Sequence, residues 1–254
     1  MKKWEKVAID FINSCGFKDD IKAVFLTGSH VFGNADEFSD IDLYIILSDD
    51  VKWRERGNKQ IDGMQVEYFA NPMRQVKKYI DDSYPSIRLI EINMILGGAI
   101  IYNKNSTAER MMDYCRQKAM SQFPIMSEFN VKTGLYNLWH NHDELHRAYA
   151  KQTPDFAMQF YIFVQNAFEL YSRYICSPVP GYHKLHRWVT DDSYYKRYGL
   201  AVYNDPAFLE VIRAAFECSG NDAMFELSKD MYAYVAGKMG GVDIGNFVLH
   251  GPCD

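Results

Sequence analysis

Two kinds of apolar pattern follow one another along the chain, and the change between them divides it. Residues 2–15 place Trp4, Val7, Ala8, Phe11, Ile12 and Cys15 at helical spacing, and Gly16 stands where a helix-ending glycine often does. Residues 22–27 (KAVFLT) form a β-like apolar run that stops at Gly28-Ser29. A loop or short helical turn is expected over 30–39. Residues 40–47 (DIDLYIIL) are almost wholly apolar after two carboxylates, as suits a central strand covered on both faces. The polar stretch 48–60 reads as a link, Asp62-Gly63 as a turn, and residues 64–70 (MQVEYFA) as a third strand.

From Asn71 onward, helical spacing takes over. Asn71-Pro72 reads as an N-cap followed by a first-turn proline, with a helix over 73–81. Another is expected over 86–96, opened by Pro85 and broken by Gly97-Gly98. A short apolar run, 99–102, precedes a helix capped by Ser106 and reaching to about 122. Beyond Pro124 the pattern is helical, over 128–151, 155–175, 206–218 and 221–238. Phe156, Phe160, Phe163, Ala167, Leu170 and Tyr174 mark the second of these. Residues 240–254 are glycine-rich, carry no period and read as a tail. The expected fold class is therefore α/β (α+β): a small mixed-sheet domain over residues 1–124, then an all-helical C-terminal domain over 125–254.

Composition narrows the classes of function. With 254 residues, 48% of them hydrophobic and 24% charged, the chain is globular and large enough for a sizeable core. Its net charge is −5 and no Lys/Arg cluster stands out, which argues against a long nucleic acid as partner. No apolar stretch approaches membrane-spanning length, and MKKWEKVAID lacks the apolar region of a signal peptide. Five cysteines without CxxC or Cys/His zinc spacing read as reduced, mostly buried thiols of a cytoplasmic protein.

The chemistry concentrates near Gly28. On a strand, positions i and i+2 face the same side, so Asp40 and Asp42 point together. Two adjacent carboxylates repel and resist burial unless a cation joins them. Hard divalent cations such as Mg²⁺ take carboxylate together with phosphate oxygens, and a pair of them can clamp an in-line displacement at phosphorus. Glycine lets a phosphate approach the backbone, and the Ser29 hydroxyl and amide can donate to it. Glu67, on the third strand with Gln65 and Phe69 on its face, is a natural third ligand and a natural general base.

The segment LTGSHVFGNADEFSDIDLYII resembles the signature of the polymerase-beta-like nucleotidyltransferase superfamily: Gly-Ser at a strand end, about ten residues, Asp-x-Asp on the next strand, then a third acid. The likeness covers about 45 residues, 23–69, and RLIEINMILGGAIIYNKN is weakly similar to small bacterial members. The resemblance implies that Asp40, Asp42 and Glu67 hold two Mg²⁺ ions and that Gly28 and Ser29, with the two aspartates, bind the nucleotide. It further implies transfer of a nucleoside monophosphate from an NTP to a hydroxyl, with pyrophosphate released. A small catalytic domain joined to a helical one resembles the plan of bacterial aminoglycoside and lincosamide nucleotidyltransferases. By that likeness residues 125–254 form the substrate-binding domain and the partners are an NTP and a small hydroxylated acceptor, with a homodimer compatible. The alternatives are a protein-AMPylating enzyme and a non-catalytic nucleotide-binding module of the same fold.

In the helical half, Glu144 or Asp143 is a candidate to bind a cationic acceptor or to act as its base in place of Glu67, against the simpler reading of a solvated helix face. His142 and His146 have zinc-like i, i+4 spacing but no third ligand in view. Glu169 and Arg173 read as a helix-surface pair. Arg74 and Arg88 read as solvated residues or contacts to a triphosphate.

Overall fold

Two apolar strands, β1 (Ile21–Thr27) and β2 (Ile41–Leu47), lie antiparallel at the centre of a sheet in the computed structural model, which describes residues 2–180, 184–191 and 202–251. A hairpin of β3 (Glu55–Ile61) and β4 (Met64–Pro72) adds β4 parallel to β2, and β5 (Ala99–Asn103) runs antiparallel to β1. The mixed sheet therefore has the order β3-β4-β2-β1-β5. Both central strands are buried along nearly their whole length, as their unbroken apolar runs require.

β3 corrects the reading of 48–60 as a link. Its sequence, ERGNKQI, lacks apolar alternation, yet Asp62 and Gly63 both take positive φ (50° and 77°) and close a two-residue hairpin. Its exposed charged side chains suit a sheet edge, where they discourage pairing with another chain.

One face of the sheet is covered by α1 (Lys3–Ser14). Its Val7, Ala8, Phe11 and Ile12 pack with Val24, Leu26, Leu43 and Ile45. The single turn α2 (Ser29–Phe32) follows β1 directly. Next come α3 (Met73–Ser83), α4 (Ile90–Gly97) and α5 (Thr107–Ala119), which contact β1 and β2, where Phe25, Tyr44 and Ile46 are also buried. Two boundaries and one cap differ from the sequence pattern. Strand pairing carries β4 through Asn71, which is buried, so Pro72 and not Asn71 is the residue before α3. Residues Tyr84–Ser86 form a 3₁₀ turn and Ile87 has a φ of 56°, so α4 begins only at Ile90. Ser106 stands at the N-cap of α5 without a capping bond from its side chain; the Asn103 carboxamide oxygen accepts from the Ala108 N–H at 3.0 Å instead.

The second half is helical: α6 (Glu128–Ala150), α7 (Phe156–Tyr174), α8 (Leu185–Thr190), α9 (Pro206–Glu217) and α10 (Asn221–Met239). α6, α7 and α10 pack on one another through Leu135, Leu138, Phe160, Phe163, Met231 and Val235, all buried. α8 was not expected; it is short, and it forms by burying Leu185 and Trp188. Asp205 ties this half together. Its carboxylate caps α9 through the Phe208 N–H at 3.3 Å and accepts from Tyr171 Oη at 2.5 Å and Tyr234 Oη at 2.9 Å.

The chain forms two compact units: the described residues of Met1–Pro85 with Leu89–Gln122, and those of Ser86–Arg88, Phe123–Tyr194 and Ala201–Asp254. None of the described helices is long and apolar enough to cross a membrane. Cys15 and Cys115 are buried and Cys176 and Cys218 half-buried, all four as free thiols; Cys253 lies outside the described residues.

Candidate metal and nucleotide site

Strand register builds the site. Thr27 pairs with Asp42 across β1 and β2, and Asp42 pairs with Glu67 across β2 and β4, so a threonine and two acids form one row across three strands. Asp40 stands just before β2, two residues from Asp42 and on its side of the pleat. One oxygen from each of Asp40, Asp42 and Glu67 can be chosen so that all three lie within 4.8 Å of one another, and all three residues are half-buried.

Gly28 closes the row. Its φ of 73° is a conformation open to glycine at little cost. A Cβ there would lie 2.0 Å from Asp42 Oδ2, so the Asp42 carboxylate rests on bare glycine backbone. Ser29 opens α2, and its carbonyl accepts from the Asn34 N–H at 3.2 Å. The loop that returns to Asp40 is pinned by Asp36 and Ser39: Ser39 Oγ donates to Asp36 Oδ1 at 2.8 Å and accepts from the Asp36 N–H at 2.9 Å. The donor set is three carboxylates and no nitrogen or sulfur, which fits a hard divalent cation.

Arg56 is a neighbour of Glu67 that sequence reasoning missed. Its Nη2 donates to Glu67 Oε1 at 2.8 Å, and its guanidinium lies 4.5 Å from the centre of the Phe69 ring. Pairing of β3 with β4 sets Arg56 opposite Phe69 and therefore diagonal to Glu67. The Asp62-Gly63 turn was the available signal, since it implies a strand on each side. On the other face of β4, Tyr68 Oη donates to Glu55 at 2.6 Å, and that bond, with burial, pushes the phenol up to about 12.

Next to Ser29, His30 has a buried Nε2 without a hydrogen-bond partner, and its ring lies 5.6 Å from that of Trp4. The candidates named outside the acidic cluster have partners of their own. Arg74 is engaged by the loop after β2, donating to the carbonyls of Asp49 and Val51. Asp143 and Glu144 both pair with Arg147, at 2.7 and 3.2 Å. His142 stacks on Tyr232, with ring centres 5.0 Å apart, and burial holds its pKa below the usual value. Glu169 pairs with Arg88 at 3.4 Å, and no ion pair joins it to Arg173 among the described residues.

Residues 9–88, which contain Gly28, Ser29, Asp40, Asp42 and Glu67, match a family model described as a nucleotidyltransferase domain. A nucleotidyltransferase-like protein from Exiguobacterium sibiricum is similar in structure, with a TM-score of 0.45 and 8% identity over 92% of this chain and 73% of that one. No curated protein matches the chain. The match over residues 9–88 takes in every residue of the candidate site and supports a nucleotidyl-transferring enzyme.

Proposed function

We propose that the enzyme transfers a nucleoside monophosphate from an NTP to a hydroxyl of a small-molecule acceptor. The observation that carries this reading is the convergence of the three acids within 4.8 Å beside the side-chain-free backbone of Gly28. Asp40, Asp42 and Glu67 would hold Mg²⁺, as two ions. Bound there, Mg²⁺ would neutralise the phosphates and polarise the bond to the leaving group.

The chain's own residues supply the rest. Gly28 leaves room for a phosphate oxygen at the backbone, and the Ser29 hydroxyl and amide donate to it. Arg56 holds the Glu67 carboxylate by one oxygen and so fixes its direction. Glu67 takes the proton of the acceptor hydroxyl as that oxygen attacks the α-phosphorus. Pyrophosphate leaves as the new phosphodiester forms. Positioning and charge neutralisation supply most of the rate.

The acceptor is sought among small hydroxylated molecules, with aminoglycosides and lincosamides first. The test is pyrophosphate release from each of the four NTPs with Mg²⁺ against such a panel, with the Asp40→Asn/Asp42→Asn double variant as control. Release that needs one acceptor and is lost in the variant supports both reaction and acceptor class. Release only in the presence of a protein, with a nucleotide-sized mass added to it, replaces the small acceptor by a protein one.

A further inference from the structure

The helical unit holds a pocket lined by none of Gly28, Ser29, Asp40, Asp42 and Glu67. It is an open cavity of about 390 Å³ between α6 and α7, within the size range of small-molecule sites. Asn137, His140 and Asn141 line it from one face of α6, at i, i+3 and i+4. Asn166, Glu169 and Arg173 line it from α7, at i, i+3 and i+7. Leu138 and Leu170 add an apolar floor.

The lining has a definite chemistry. Each carboxamide offers one acceptor and two donors, the complement of neighbouring hydroxyls, and three of them converge here. The charge of Glu169 is offset by Arg88 at 3.4 Å. Arg173 has no such offset: it makes no ion pair among the described residues, and its Nε is buried without a hydrogen-bond partner. Guanidinium groups bind carboxylates bidentately, so the demand is for an anion beside a set of hydroxyls, with C–H surface against the leucines.

We propose that this pocket binds a small polyhydroxylated carboxylate of sugar-acid size, its carboxylate on Arg173 and its hydroxyls on Asn137, Asn141 and Asn166. The site stands on the helical unit alone and does not depend on the transfer reaction.

The test is calorimetric titration of the full chain with D-glucuronate, D-glucose and acetate. D-Glucuronate should bind at least about tenfold more tightly than either of the others, since each carries only half of the required chemistry. Arg173→Gln should remove that preference, and Asn166→Ala should weaken D-glucuronate by roughly fivefold, each variant first shown folded by circular dichroism. Asp40→Asn should leave the binding unchanged, which separates this site from the transfer site. Should Arg173→Gln not fold, Asn141→Ala takes its place with the same weakening expected. Equal affinity for the three probes, no heat from D-glucuronate, or binding untouched by the pocket variants overturns the proposal.

Discussion

Asp42 and Glu67 are direct partners in the parallel pairing of β2 with β4, so one row of the sheet carries two carboxylates side by side. With Asp40 they make a cluster whose mutual repulsion a divalent cation would relieve. Mg²⁺ should therefore stabilise the fold, by about 1.4 kcal/mol at ten times its dissociation constant. Thermal melts in EDTA and in Mg²⁺ check this: the midpoint should rise with Mg²⁺ in the wild type and stay flat in Asp40→Asn/Asp42→Asn. A flat response in both proteins would mean that the three acids hold no cation.

Gly28→Ala should damage the site more than the fold. The new Cβ would meet Asp42 Oδ2 at 2.0 Å, and φ at 73° adds strain. The strain costs about 1–3 kcal/mol of stability. A displacement of Asp42 by the order of 1 Å should lower turnover about 100-fold. Pyrophosphate release beside a melting curve separates the two effects, and near-normal turnover would show that Asp42 need not rest on that backbone.

Arg56→Gln should strengthen Mg²⁺ binding while slowing transfer. The guanidinium would compete with a cation for Glu67, but its side chain is 69% exposed, so the effect is small. A two- to fivefold tighter apparent Mg²⁺ affinity corresponds to about 0.4–1 kcal/mol, the usual worth of such a pair. Manganese titration followed by electron paramagnetic resonance, paired with a kcat measurement, reads both. Weaker metal binding in the variant would mean that Arg56 supports the cation site instead of competing for it.

Asp205→Asn should loosen the helical unit. Burial works against the Asp205 carboxylate, but hydrogen bonds from Tyr171, Tyr234 and the Phe208 N–H outweigh it and hold the pKa below 3.8. The ionised form therefore contributes stability above that value, and the contribution fades as pH falls through the lower folded pKa. Denaturant unfolding at pH 7 should show a loss of about 1–3 kcal/mol. The gap between wild type and variant should close below about pH 4. A gap that persists unchanged to pH 2 would place the cost in packing and not in charge.

The acids and glycine of the site were legible because their spacing carries the geometry. An apolar strand makes Asp40 and Asp42 face together, and a second apolar strand carries Glu67. The helices of the second half showed through their three-and-four spacing for a similar reason. β3 did not, since an edge strand needs no apolar face, and with it went Arg56. The N-cap assigned to Asn71 failed because sheet pairing with Ile46 outlasts the local preference of Asn-Pro to open a helix. The Asp205 clamp and the pocket between α6 and α7 join residues 30 or so positions apart, and only packing brings them together.

The most direct measurement follows the label of an NTP. With α-labelled nucleotide and a competent acceptor, the label should pass to the acceptor; with γ-labelled nucleotide it should leave as pyrophosphate; and both should cease in Asp42→Asn while that variant stays folded. Label from the γ-position on the acceptor, or full transfer by Asp42→Asn, would contradict nucleotidyl transfer at this site.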